Sequence, residues 1–264
     1  MNDRYMEPFC DNLESFIKSY GDDGKAELNS LCSKHQLEFA PQEDTKFTYG
    51  GLQIKGGLLR LVFSDGQFAV NVWDVSRDFQ EAIKTAASSG GSSAFNIIAR
   101  NSVRSDYDPK IGEIQEAIGK LVGIPDIKLN PNFENNAAAL AKAGDQVRDD
   151  WDKQIGGATL GYFGGLKYQI EYAGFKDDDM LQEAFQEAIP KNEILLRVVD
   201  KLQNGTYHEI LVEDGVLVIQ VSKLALDFKN ISLMWTFRPR LIVGGSTLTM
   251  WETKFWISCE DWVS

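Results

Sequence analysis

Apolar residues between positions 145 and 173 recur at helical spacing: Val147, Trp151, Ile155, Leu166 and Ile170 fall near one stripe, and Gly157, Gly161 and Gly165 repeat every four residues beside it. The stretch DQVRDDWDKQIGGATLGYFGGLKYQIEYA is therefore read as one long helix. A glycine inside a helix costs about 1 kcal/mol relative to alanine. A helix that carries five of them is expected to lie close to another backbone along its glycine row.

The same reading extends along the chain. Over residues 1–40, Phe9, Leu13, Phe16 and Ile17 share a helical face, Tyr20-Gly21-Asp22-Asp23-Gly24 breaks it, and Leu28, Leu31 and Cys32 mark a second short helix. This predicts an N-terminal helical hairpin over 1–40, packed on a body formed by 41–264, with the polar Pro41–Thr45 segment as linker. From Lys46 the period changes to two. Strands are predicted over 46–49, 52–55 and 58–63, separated by glycine pairs, and Ser64-Asp65-Gly66 is expected to turn the chain into a fourth strand over 67–73.

Helices follow. One carries Phe79, Ala82, Ile83 and Ala86; another opens at Asp108-Pro109, carries Ile111, Ile114, Ile118, Leu121 and Val122, and closes at Gly123. Ala94–Ala99 fits a strand or a helix start equally well. An alanine-rich helix covers 132–143, after which Gly144 either breaks the chain or lets it run on. Asp177 is the expected cap of a last helix that ends at Pro190. From Glu193 the pattern is strand again: 194–199, 207–212 and 216–221 about an Asp214-Gly215 turn, then 231–237, 240–243 and 247–257.

Strands at both ends with helices between them indicate an α+β fold rather than alternating βαβ units. The expected architecture is one antiparallel sheet built from residues 46–73 and 193–258, packed on a central layer of helices that includes the glycine-rich helix 145–173. Large sheet side chains such as Phe237 or Trp251 are expected to fill the glycine groove.

Composition narrows the classes of function. A chain of 264 residues buries a core without disulfides or metal, and a net charge of −12 argues against binding nucleic acid through phosphates while leaving basic or neutral partners open. Cys10, Cys32 and Cys259 are widely spaced, so neither a disulfide framework nor a zinc site is expected. The N-terminus MNDRYMEPFCDNLES shows no apolar run after its first charges, and the uncharged part of the central helix is too short to cross a bilayer; a cytoplasmic protein is the expectation.

Catalytic signals are sparse. The sequence has two histidines, His35 and His208, and neither a G-x-S-x-G motif nor a phosphate loop of the Gly-Lys-Ser/Thr kind. Asp145, Asp149 and Asp152 would share a helical face, an arrangement that a helix N-terminus and pairing with Arg148 and Lys153 explain without a metal. No cofactor or metal is called for. The aromatic residues are more informative: Trp235, Phe237, Trp251 and Phe255, with Arg238, crowd the last stretch of chain. Together with Tyr162 and Phe163 of the central helix they form the candidate ligand-binding set.

The function expected from these features is that of an acidic, soluble binding protein with an aromatic-lined pocket or interface for a small apolar molecule or a protein partner. Two alternatives stand beside it. One is a membrane-active, toxin-like protein whose amphipathic helices detach from the sheet, and the other is a small-molecule enzyme with acid/base carboxylates at no marked position.

Overall fold

In a computed structural model that describes residues 3–43, 46–77, 79–89, 93–203, 207–223, 241–243 and 246–248, the helical spacing of the N-terminal region becomes helix α1, Asp3–Leu31. The helix breaks at Gly21 (φ 60°, ψ −142°), inside the stretch where the sequence pattern is interrupted. It belongs to the first of two compact units, Met1–Asn101 and Ser102–Ser264.

Three strands follow in the first unit: β1 (Leu37–Pro41), β2 (Gly50–Lys55) and β3 (Leu58–Phe63), ordered β1-β3-β2. The β2–β3 hairpin forms on the expected glycine pair, because Gly56 (φ 58°) and Gly57 (φ 78°) both take the left-handed backbone that a tight two-residue turn demands. Strand β1 was not expected. Leu37–Pro41, which the sequence pattern assigns to the end of a helical hairpin and a linker, pairs parallel to β3. Leu37 and Phe39 face the core, and Glu38 lies opposite Arg60, whose Nε donates to its carboxylate at 2.7 Å. Two alternations are too few to reveal a strand.

The fourth predicted strand, 67–73, does not form. After the turn at Asp65-Gly66 the chain coils through Ala69 (φ 64°) and Asn71 (φ 49°), and enters helix α2, Val72–Val75. Two left-handed residues end any extended run, and tertiary contacts hold them: the Ala69 N–H donates to the Tyr5 hydroxyl at 2.7 Å, and the Phe68 ring packs edge-on against Phe63 at 5.0 Å. Helices α3 (Phe79–Ser89) and α4 (Ile97–Ser102) complete the unit, the latter capped by the Asn96 side chain, which accepts from the N–H groups of Ile98 and Ala99. The core gathers Phe9, Phe16 and Tyr20 of α1 against Phe79 and Ile83 of α3 and Leu59 and Leu61 of β3.

The second unit opens on a π-helical turn, Val103–Tyr107, that runs into α5, Asp108–Val122, closed at Gly123 (φ 70°). Strand β4 (Lys128–Asn130) precedes helices α6 (Phe133–Ala143), α7 (Trp151–Tyr172) and α8 (Asp179–Ala188). Of the two readings of Gly144, the break is the one seen: at φ 55° it opens a short 3-10 turn. The glycine-rich helix thus starts at Trp151, and Val147 lies in extended chain before it. The cap of α8 is Asp178, one residue beyond the expected Asp177. Gln182 and Gln186 of α8 donate to the Leu121 and Val122 carbonyls at 3.1 Å, satisfying the C-terminal end of α5.

Strands β5 (Glu193–Val199), β6 (His208–Glu213) and β7 (Val216–Ser222) join β4 in a sheet ordered β4-β5-β7-β6. The β6–β7 hairpin turns at Asp214-Gly215 as expected. A further hairpin pairs β8 (Leu241–Val243) with β9 (Ser246–Leu248), and the predicted strand 231–237 lies outside the described residues, as does most of 247–257.

The chain is α+β, but the expectation of one antiparallel sheet is corrected. The strands of 50–63 and of 193–222 belong to different sheets, and both are mixed: β1 runs parallel to β3, while β5 runs parallel to β4 and β7. The parallel β4–β5 pair is possible because α6, α7 and α8 supply the long crossover that two parallel neighbours require.

Strand β4 ends after pairing Asn130 with Leu195, which leaves β5 with edge groups that no strand reaches. The buried Asn136 of α6 takes them. Its Oδ1 accepts from Val198 N–H at 2.8 Å, and its Nδ2 donates to the Leu196 carbonyl at 3.0 Å and the Pro131 carbonyl at 2.9 Å. A side-chain amide here continues the hydrogen-bond pattern of the missing strand.

Helix α7 packs on α5 and the π turn rather than on the sheet; α6 is the helix that lies against β5. Close backbone approach occurs, at a glycine outside the expected row. A Cβ on Gly156 would stand 2.3 Å from the Ser102 carbonyl oxygen, and the Gly156 N–H donates to Ser102 Oγ at 3.0 Å. Gly157 is exposed, and its nearest neighbour would be 3.9 Å away.

Two stability measurements follow. Urea unfolding of Asn136→Leu is expected to show a loss of about 2–4 kcal/mol, since two buried backbone groups lose their partner. Gly156→Ala is expected to destabilise by about 2–3 kcal/mol through overpacking against backbone, whereas Gly157→Ala gains roughly 0.5–1 kcal/mol of helix propensity. Equal effects at positions 156 and 157 would contradict the packing described.

Candidate functional site

Among the described residues no group of three or more His, Cys, Asp or Glu side chains is placed to hold a metal ion. The acidic set ahead of α7 does not share a helical face: Asp145 lies in the 3-10 turn, Asp149 and Asp150 precede the helix, and Asp152 is fully buried in its first turn. Arg148 forks onto Asp150 with two bonds of 2.8 Å, and this pairing holds the Asp150 carboxyl below its ordinary range.

Of the seven candidate binding residues, Trp235, Phe237, Arg238, Trp251 and Phe255 lie outside the described residues. Tyr162 and Phe163 sit in α7 and are buried in the second unit. Phe163 faces Tyr107 with ring centroids 6.4 Å apart, and Tyr107 stands edge-on to Phe133 at 5.0 Å. Burial pushes the phenol of Tyr162 far up; at Tyr107 burial does the same and the Asp108 carboxylate adds to it. Both phenols stay protonated.

The sheet of the second unit carries a charged strip on one face. Arg197, Gln220 and Glu209 are cross-strand neighbours on β5, β7 and β6. With its amide turned so that nitrogen donates to Glu209 at 2.9 Å and oxygen accepts from Arg197, Gln220 links the two, while Arg197 also meets Glu213 at 2.8 Å. One guanidinium here stands against two carboxylates, with Gln220 as the link between them. His208 belongs to β6 opposite Val221, on the other face, where burial lowers the imidazole pKa.

Exposed aromatic side chains also crowd one stretch of the first unit, an aromatic ledge. Trp73 is 55% exposed, Phe68 52%, Tyr49 42% and Val70 37%. Their backbones adjoin. The Ser64 N–H donates to the Tyr49 carbonyl, Phe68 packs edge-on against Phe63, and Gly50, next to Tyr49 and paired with Phe63, would carry a Cβ 2.9 Å from Val75 of α2, the helix of Trp73. The sequence reading missed this surface because alternation along 67–73 assigns half of those side chains to a sheet face. The available signal was the crowding of Phe68, Val70 and Trp73 just after an Asp-Gly turn.

Several charges of the first unit are paired. Arg60 holds Glu38 and Glu43, Lys55 also holds Glu43, and Arg77 meets Asp74 at 3.0 Å. The exposed Asp65 lies in the adjoining turn. No helix among the described residues is long and apolar enough to cross a membrane. No protein-family model matches the chain, and neither a curated protein nor a solved structure matches it.

The buried imidazole generates a pH prediction. Because the folded pKa of His208 lies below the ordinary value of about 6.5, the unfolded chain takes up a proton first as the solution is acidified, so stability is lost as pH falls from about 6.5 towards the folded value. Urea midpoints are expected to drop between about pH 7.5 and pH 5 in the wild type and to drop less in His208→Gln. An equal drop in both would remove His208 as the cause.

Proposed function

We propose that the chain is an acidic cytoplasmic binding protein that engages a protein partner through the aromatic ledge of its first unit. The observation that carries this reading is the display of Tyr49, Phe68, Val70 and Trp73 on adjoining backbone, with left-handed Ala69 and Asn71 between them. Left-handed backbone costs a non-glycine residue roughly 1–2 kcal/mol. Such strain persists where the surrounding fold enforces a particular presentation, and it concentrates at working surfaces.

The magnitude suits docking. At their exposures the three rings leave on the order of 300 Å² open, the size of patch that is often functional on a monomer. Covering it contributes roughly 7 kcal/mol before the cost of association is subtracted. Of the two occupants that the sequence pattern suggests, an open ledge suits a protein surface, because small ligands bind in concave sites that enclose most of their area. Tyrosine and tryptophan are also the side chains most enriched among residues that dominate binding energy.

Photo-crosslinking tests the reading. Benzoylphenylalanine in place of Trp73 is expected to give a discrete covalent adduct on irradiation of cells that express the chain, and none in place of Met180, which is 80% exposed on α8. Absence of an adduct at position 73, or the same adducts at position 180, overturns the proposal.

A further inference from the structure

Each unit contains a helix that leads into a strand, followed by a hairpin whose return strand lies between that first strand and its own partner. The order is β1-β3-β2 in the first unit and β5-β7-β6 in the second, with β1 parallel to β3 and β5 parallel to β7. Consecutive strands lie side by side roughly two-thirds of the time, so the same departure made twice calls for a cause. We infer that the chain carries one αβββ repeat in two copies, residues 22–41 with 49–64 and residues 179–198 with 207–222.

The copies agree at hydrogen bonds that strand order does not dictate. The arm of α1 beyond its break at Gly21 ends at Leu31, and α8 ends at Ala188. A buried residue comes next, Cys32 or Ile189, and its carbonyl accepts from the N–H of a left-handed residue: His35 (φ 49°) at 2.8 Å in the first copy, Asn192 (φ 52°) at 2.9 Å in the second. The lysine just before that residue, Lys34 or Lys191, donates its N–H to the carbonyl of the second turn glycine, Gly57 at 3.0 Å or Gly215 at 3.3 Å. The same position stands against both glycines. A Cβ on Gly57 would meet Ser33 Oγ at 2.6 Å, and one on Gly215 would meet Pro190 Cγ at 3.0 Å. At the open end of each hairpin a serine N–H donates to a tyrosine carbonyl at 2.9 Å, Ser64 to Tyr49 and Ser222 to Tyr207.

Register and residue identity follow the same match. Leu37 pairs with Leu59 as Ile194 pairs with Leu217, and Gly50 pairs with Phe63 as His208 pairs with Val221. The offset along the chain is constant from the helix end through the first strand and one residue longer in the hairpin. Lys34, Tyr49, Gly57, Leu59 and Ser64 recur as Lys191, Tyr207, Gly215, Leu217 and Ser222. Turn chemistry accounts for the glycines, since a two-residue hairpin demands positive φ. It does not account for a helix end latched to the turn, or for a serine–tyrosine pair at the opposite end of the hairpin. Duplication accounts for all three, and it makes each copy a guide to the backbone of the other.

Proline substitution in the full chain tests the equivalence. Pro190 has a fixed φ and no N–H, so its counterpart in the first copy, Ser33, is expected to stand on backbone that accepts proline. Ser33→Pro is expected to hold or raise the midpoint of urea unfolding, because proline restricts the unfolded chain wherever the folded conformation already suits it. Lys34→Pro and Lys191→Pro each remove the donor to the turn glycine, and each is expected to lower the midpoint by about 0.5–1 M. A fall with Ser33→Pro comparable to that with Lys34→Pro overturns the inference, and so does an unchanged midpoint in either lysine variant.

Discussion

A buried backbone group that hydrogen-bonds to nothing costs as much as a sizeable side-chain deletion, and the second unit is arranged around that constraint. Strand β4 is too short to cover β5, so the remaining edge of β5 has to be satisfied from elsewhere. Asn136 does so, and in doing so fixes where α6 lies on the sheet. The same requirement sets the ends of the other helices. The last carbonyls of α5 are met by glutamines of α8, and the Gly156 amide is met by the Ser102 hydroxyl where α7 crosses the π turn. Side-chain amides and hydroxyls, not apolar contact alone, index the helical layer to the strands.

Local chemistry in the sequence was legible and long-range pairing was not. The turns at Gly56-Gly57 and Asp214-Gly215 were readable because positive φ is a property of two residues. The helix at Asp108-Pro109 was readable because a cap and a period are properties of one segment. Parallel pairing of β1 with β3, or of β4 with β5, depends on partners distant in sequence and leaves no mark in either strand. Residues 67–73 show the limit most plainly: their alternation is that of a strand, yet Tyr5 and Phe63 draw Ala69 and Phe68 into a coil. The glycine row of α7 pointed to the right helix for a backbone approach, but the residue that makes it is Gly156, because helix rotation is set by Trp151, Ile155 and Phe163 and not by where glycines repeat.

The candidate site divides in the same way. Tyr162 and Phe163 were chosen for being aromatic on the central helix, and that position is what places them inside the core with Tyr107 and Phe133. The aromatic set from Trp235 to Phe255 lies outside the described residues. The ledge emerged from a segment whose sequence signal was read as ordinary sheet. Exposure is the property that separates the ledge rings from the core rings, and composition carries no information about it.

The crossover between β4 and β5 has a consequence for biogenesis. The first unit is a compact unit of residues 1–101, so its internal packing is able to form as soon as that length has left the ribosome. Strand β4 has no such freedom: its partner β5 begins only at Glu193, and β5's other neighbour, β7, is made later still. During synthesis the helices α5 to α8 therefore emerge before strands β5 to β7 exist, and the face of α6 that lies against β5 depends on the other helices, or on a chaperone, until those strands arrive.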